Sequence, residues 1–246
     1  MKIREIIKIS LERTKENWKK LVQLELVTIL VLLVLKLLET VVNRGDSTSI
    51  GMNLVLLFFS CVGIIFTGGT VYGFMKAAVR EEVQLKDIIF VFQYDIINYL
   101  AIQIKMILMA AAVFLLIGRM FVNFVFLAYP EDTAFIISYI LIDFIWILFR
   151  FRYFLSVYLL LDGEEDSSKW ALKRSARMME GNYFRLICLK LSFLPMILLS
   201  VLTCGIGFLF VLPWMGVADA LFYLDLICKD KMLEKQSQPG ADSQSI

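Results

Sequence analysis

The residues whose types could do chemistry are charges set inside apolar runs. Asp143, Arg150, Arg152 and Asp219 interrupt stretches otherwise built from Ile, Leu, Phe and Val. A charge at the centre of a bilayer costs about 2.5–3.5 kcal/mol on insertion scales, so such residues pair, snorkel or serve a pathway. Asp143 and Arg150 are seven residues apart and share a face of any helix that carries both. Two readings are open. One is a structural lock in which Arg150 or Arg152 pairs with Asp219. The other is a basic cavity, open to the cytoplasm, that holds an anionic head group or solute, because a guanidinium grips phosphate or carboxylate bidentately. Asp225 lies in such a run as well. Glu25, Lys36, Glu39, Lys105 and Lys190 lie within snorkelling reach of the ends of theirs.

A second charged set is periodic. Between Ser167 and Gly181, residues Lys169, Lys173, Arg174, Arg177 and Glu180 fall on one arc of a helix, with Trp170 beside them. Ala171, Leu172, Ser175, Ala176, Met178 and Met179 fall on the other. Ser167 or Ser168 is the expected N-cap, and Gly181 the expected C′ residue, because glycine takes φ > 0 without a Cβ clash. A basic face backed by small, soft residues fits a helix lying at the membrane–water interface. A soluble helix packed on a domain would show a similar pattern, but here an apolar run follows at once. Residues Met1 to Asn17 repeat the plan, with Ile3, Ile6, Ile7, Ser10, Leu11 and Thr14 on one arc. Trp18, Lys19 and Lys20 then stand where interfacial anchors belong.

What is missing bounds the chemistry. The chain of 246 residues contains no histidine, which removes the commonest general base and metal ligand. Its four cysteines, Cys61, Cys188, Cys204 and Cys228, form no CxxC pair and lie in or beside apolar runs. No phosphate-binding glycine motif is present, no cofactor or metal is expected, and nucleic acid is not an expected partner. An intramembrane enzyme is therefore the least supported class.

The elements that must position these charges are apolar helices. Apolar residues make up 59% of the chain, with a mean hydropathy of +0.76. They come in runs long enough to cross a hydrocarbon layer about 30 Å thick. The expected fold is all-α and polytopic, with six transmembrane helices and two or three amphipathic interfacial helices. The spans are placed near Leu21–Leu38, Met52–Ala78, Tyr99–Ile117, Ala134–Leu161, Tyr183–Leu202 and Phe208–Cys228. Gly63, Gly68, Gly69 and Gly73 should let neighbouring helices approach closely, and Pro195 should kink the fifth span. Ile88–Asn98, broken by Gln93 and Asp95, reads as an interfacial or re-entrant helix. The first run follows a charged helix and does not read as a cleavable signal peptide. Lys and Arg crowd Met1–Lys20, Lys76–Lys86, Lys169–Arg185 and Lys229–Lys235, whereas the links at Asn43, Pro130 and Cys204 are nearly bare. The positive-inside rule then places both termini in the cytoplasm.

An internal repeat runs through this plan. Ser10 aligns with Ser175, Asn17-Trp18 with Asn182-Tyr183, Lys20 with Arg185, and Leu21, Leu24 and Leu26 with Leu186, Leu189 and Leu191. Glu25 and Lys190 occupy equivalent positions, which suggests an ion pair between the first and fifth spans. Ile88–Ile97 followed by Asn98-Tyr99 would be a middle copy, although Asp95 falls on its apolar face. The expected division is one membrane domain, 1–228, with repeat units 1–78, 83–161 and 165–228, then a polar tail, 229–246.

Three boxes carry a family resemblance. They are S-x-R-x-M-x-G-N-x-x-R-L-x-x-L-x-L-S-F from Ser175 to Phe193, L-x-x-L-T-x-G-I-G-x-L-x-x-x-P-W from Leu199 to Trp214, and A-D-A-x-F-Y-x-D-L from Ala218 to Leu226. Together they resemble the bacterial integral-membrane family called domain of unknown function 975. The resemblance implies a six-span bacterial inner-membrane protein and carries no activity with it. The expected partners are the bilayer and anionic lipid head groups, and no protein partner can be read. The functional expectation is a non-enzymatic accessory or lipid-associated membrane factor. The alternative is a small transporter or lipid translocator with a basic cavity open to the cytoplasm.

Overall fold

A computed structural model describes residues 1–42, 50–94, 96–113, 115, 131–164 and 167–237. The expected links at Asn43–Ser49 and around Arg119 and Pro130, the interrupting Asp95, and the tail beyond Ser237 lie outside the described residues. The helices in chain order are α1 (Ile3–Glu16), α2 (Trp18–Val42) and α3 (Ile50–Ala78), a 3₁₀ turn (Leu85–Ile89), then α4 (Phe90–Tyr94), α5 (Ile96–Val113) and α6 (Glu131–Arg152). They continue with α7 (Ser156–Leu161), α8 (Ser168–Met179), α9 (Tyr183–Ser192), α10 (Leu194–Leu202) and α11 (Phe208–Ser237). No strand occurs among the described residues.

Five helical stretches among the described residues are long and apolar enough to cross a membrane: Trp18–Val41, Leu54–Ala78, Ile96–Val113, Tyr183–Leu202 and Phe208–Leu233. The expected fourth span is instead α6, a turn at residues 153–155, and α7; many α6 side chains, Asp143 among them, lie outside the description. Large apolar residues point outward, including Leu30, Leu33 and Leu37 on α2, Leu54, Leu57 and Phe58 on α3, and Ile104, Ile107 and Leu108 on α5. Water would drive such a surface to associate. Hydrocarbon is the solvent that suits it, because every span satisfies its own backbone hydrogen bonds.

The chain divides into two compact units, residues 1–96 with 184–246, and residues 97–183. The first is built on α11, where Val217, Ala218, Ala220, Phe222 and Tyr223 expose no surface. Gly69 and Gly73 of α3 act as expected. A Cβ on Gly69 would lie 2.0 Å from the Ile88 carbonyl oxygen, and one on Gly73 would lie 2.7 Å from Leu24. Small residues thus seat the 3₁₀ turn and α2 directly on α3. Asp87 is buried, with Lys76 at 2.9 Å and the Gln84 amide donating to it at 2.8 Å.

The first helix departs from its expected setting. It runs antiparallel beside α11: Met1 meets Asp225, the Trp214 indole donates to Ser10 Oγ at 2.9 Å, and Trp18 stacks on Phe210 at 4.2 Å between ring centroids. Its buried residues, Ile6, Ser10 and Thr14, are those of the expected apolar arc, but in this unit they face protein. Trp18 also shares a cavity with Thr203 and Gly207 of the α10–α11 link. Trp18 and that link are therefore neighbours.

Ion pairs along α11 are arranged in steps. Lys190 meets Asp219 at 2.5 Å, so its partner is Asp219 rather than the expected Glu25. Asp225 receives Arg185 at 2.7 Å and Lys229 at 3.1 Å. The fifth span breaks at Phe193, with Pro195 in the first turn of α10, where the missing N–H has no helical partner to lose.

Candidate functional site

The site is best built from Ser175, which lies fully buried in the second unit. The turn between α6 and α7 leaves the Leu155 amide outside any helix ladder, and Ser175 Oγ accepts it at 3.1 Å. The same hydroxyl lies 3.5 Å from the Arg152 carbonyl oxygen, to which it donates. One small polar residue on α8 therefore fixes the backbone at the end of α6, and with it the root of the Arg152 side chain. Leu155, Leu159 and Leu160 are buried beside the apolar arc of α8, which comprises Ala171, Leu172, Ala176, Met178 and Met179.

The start of α8 is held by α5. Ser167 is its N-cap residue. The Ser168 amide donates to Asn98 Oδ1 at 3.3 Å, and Lys105 Nζ donates to Ser168 Oγ at 2.6 Å. Lys105, which sequence reasoning left to snorkel, is thus committed to this helix start. The far end closes in a tight turn. Glu180 has φ −58° and ψ 123°, Gly181 has φ +78°, and the Asn182 amide donates to the Met179 carbonyl at 2.9 Å. This is a type II turn, whose third position requires positive φ. Glycine stands there for the reason expected.

With both ends fixed, Leu172, Lys173, Ala176, Arg177 and Glu180 form a stripe at helical spacing that faces Met109, Arg152 and Tyr153 across a cleft of about 410 Å³. Arg152, Lys173, Arg177 and Glu180 are all exposed, so the charged rim is open to solvent. Three cations and one carboxylate give the rim a net charge of +2. Its floor is apolar, from Met109, Leu172 and Ala176. Arg177 sits in the last turn of α8, where the helix dipole favours cations. Lys173 Nζ lies 5.0 Å from the Trp170 ring, which anchors its chain. Such a rim can bind one anionic group by charge-assisted hydrogen bonds while the floor takes apolar atoms.

The expected residues divide accordingly. Arg152, Lys173 and Arg177 come together, although sequence reasoning had placed them in two separate sets. Arg174 pairs with Glu164 at 3.7 Å and does not line the cleft. Lys169 and Arg150 are exposed and do not line it either. Asp219 belongs to the first unit, paired with Lys190. The Asp143 side chain lies outside the description. Tyr153, Met109 and the positioning role of Ser175 were missed. The only signal was a serine in the middle of an apolar arc, where a small polar residue has to find a partner.

Comparison with known proteins adds one relation. No curated protein and no solved structure gives a match. A family model matches residues 1–230, and the chain belongs to that family, Protein of unknown function (DUF975).

Proposed function

We propose that the chain is a non-enzymatic, lipid-associated protein of the bacterial cell membrane that holds anionic lipid head groups in the cleft between α8 and the end of α6. Its Lys- and Arg-rich ends, both termini included, face the cytoplasm on this reading. The observation that carries it is the convergence of Arg152, Lys173 and Arg177 over an apolar floor. A head group attached to glycerol and acyl chains presents that combination of anion and adjoining hydrocarbon. Bidentate guanidinium donors favour phosphate over a neutral polar group.

The test uses the full chain in mild detergent, titrated calorimetrically with dihexanoyl-phosphatidylglycerol and dihexanoyl-phosphatidylcholine. Saturable binding of the anionic lipid is expected, with weak or no binding of the zwitterionic one. Combined Arg152→Gln, Lys173→Gln and Arg177→Gln substitution should weaken it by roughly a hundredfold, at about fivefold for each cation near an anionic surface. Lys169→Gln, outside the cleft, should leave it unchanged. Equal affinity for both lipids, or equal losses from Lys169→Gln and a single cleft substitution, would reject the site.

A further inference from the structure

We infer that the hairpin of α9, α10 and α11 does not cross the bilayer but lies on its cytoplasmic leaflet, docked by the outward apolar face of α9 and α10, with α1 on the aqueous side. The inference concerns the first unit alone and is independent of the cleft.

The starting point is where the hairpin tip lies. Around the α1–α2 junction, Glu16, Lys19, Lys20, Arg80, Glu81 and Glu82 are all exposed, and Arg80 approaches Glu16 at 3.8 Å and Lys20 approaches Glu82 at 3.9 Å. This is an aqueous margin, at which α2 begins and α3 ends. Trp18 stands in it, stacked on Phe210, and shares a cavity of about 390 Å³ with Thr203 and Gly207 of the hairpin link. The tip is therefore level with the margin. From Phe210 to Asp225, α11 runs about 22 Å at 1.5 Å per residue. Its far end has to lie either across the hydrocarbon or along the margin, in the plane of the interface.

The first helix decides between these. It accompanies α11 over that whole length, from Trp18 at Phe210 to Met1 at Asp225. Its outward face carries Arg4, Glu5, Lys8, Glu12, Lys15 and Glu16, all exposed. A crossing hairpin would drag these charges into hydrocarbon, at about 2.5–3.5 kcal/mol for each one near the centre. Arg80 lies 3.8 Å from Glu16 and the Lys2 amide donates to Glu5 at 2.8 Å, contacts that touch two of the six charges. On the leaflet these charges remain in water.

The opposite side of the hairpin supplies the docking face. Phe184, Ile187, Leu191, Leu194, Leu198 and Leu202 recur every three or four residues and are exposed. Leu186, Leu189, Phe193 and Ser200, at the alternate positions, are buried. A helix pair with hydrocarbon on one side and charge on the other suits the interface plane. The most apolar stretch of α11, between the two, is 61% buried, whereas the other apolar stretches are 17–28% buried. A helix screened from lipid by its neighbours would show that contrast.

The test is sidedness of the native Cys204, which is exposed at the tip. The full chain is placed in membrane vesicles of known orientation and treated with a membrane-impermeant maleimide, and the labelled peptides are mapped by mass spectrometry. The native chain needs no substitution for this. A Glu82→Cys variant, altered at an exposed site, marks the aqueous margin. Cys204 should label from the same side as Glu82→Cys, and to within a few-fold in rate. Labelling of Cys204 only from the opposite side, or only by a permeant reagent, would overturn the inference.

Discussion

Backbone conformation at two helix ends gives the sharpest single-residue test. Gly181 has φ +78°, and a Cβ built on it meets nothing within 4 Å. Substitution by alanine therefore tests conformation without a clash. Gly181→Ala should lower stability by about 1–2 kcal/mol, the cost of holding an L-residue in the left-handed region. At the end of α3 the situation is reversed. Arg80 has φ 67° in the position glycine usually fills, with the Glu81 amide donating to Lys76 and the Arg80 amide to Ala77. Arg80→Gly should raise stability by up to about 1 kcal/mol, less the extra freedom glycine gains in the unfolded chain. Thermal unfolding in detergent, followed by tryptophan fluorescence, reads both. A loss from each substitution would contradict the account of these caps. Sequence made the glycine legible and the arginine not. A lone Gly after a periodic run announces a helix end, whereas an Arg in the same conformation is indistinguishable from any other link residue.

The two helices that open the outer repeats bury equivalent positions. At an offset of 165 residues, Ile6, Ser10, Leu21 and Leu24 correspond to Ala171, Ser175, Leu186 and Leu189, and every one of these eight is wholly buried. Both serines accept a hydrogen bond from another element, Ser10 from the Trp214 indole and Ser175 from the Leu155 amide. Periodicity showed which face is buried, because a 3.6-residue repeat depends only on local geometry. It could not show what covers that face. Lipid and protein both accept small apolar residues, and only the serines, each needing a partner, hinted at protein. Ser175→Ala would leave the Leu155 amide buried without an acceptor and should cost about 1–3 kcal/mol. It should also weaken anionic-lipid binding, because Arg152 loses its backbone support. Unchanged stability and unchanged binding together would show that Ser175 positions nothing.

For the molecule as a whole, the apolar belts were the most legible feature and the charges among them the least. Runs of Leu, Ile and Phe announce hydrocarbon contact whatever the tertiary arrangement. Partners of charges depend on which helices meet, and that is set by long-range packing. Lys190 was aligned with Glu25 by the repeat, yet it pairs with Asp219. Arg152 was weighed against Asp219, yet it lines a cleft with Lys173 and Arg177. The division of the chain into residues 1–96 with 184–246, and 97–183, likewise does not follow the repeat boundaries. All of these assignments rest on the outward leucines and phenylalanines of α2, α3 and α5 meeting hydrocarbon rather than water. Size-exclusion chromatography of the purified full chain, with detergent and after its removal, tests that most directly. The account predicts a single symmetric peak in detergent and aggregation once detergent is withdrawn. A monodisperse, folded species in detergent-free buffer would contradict it.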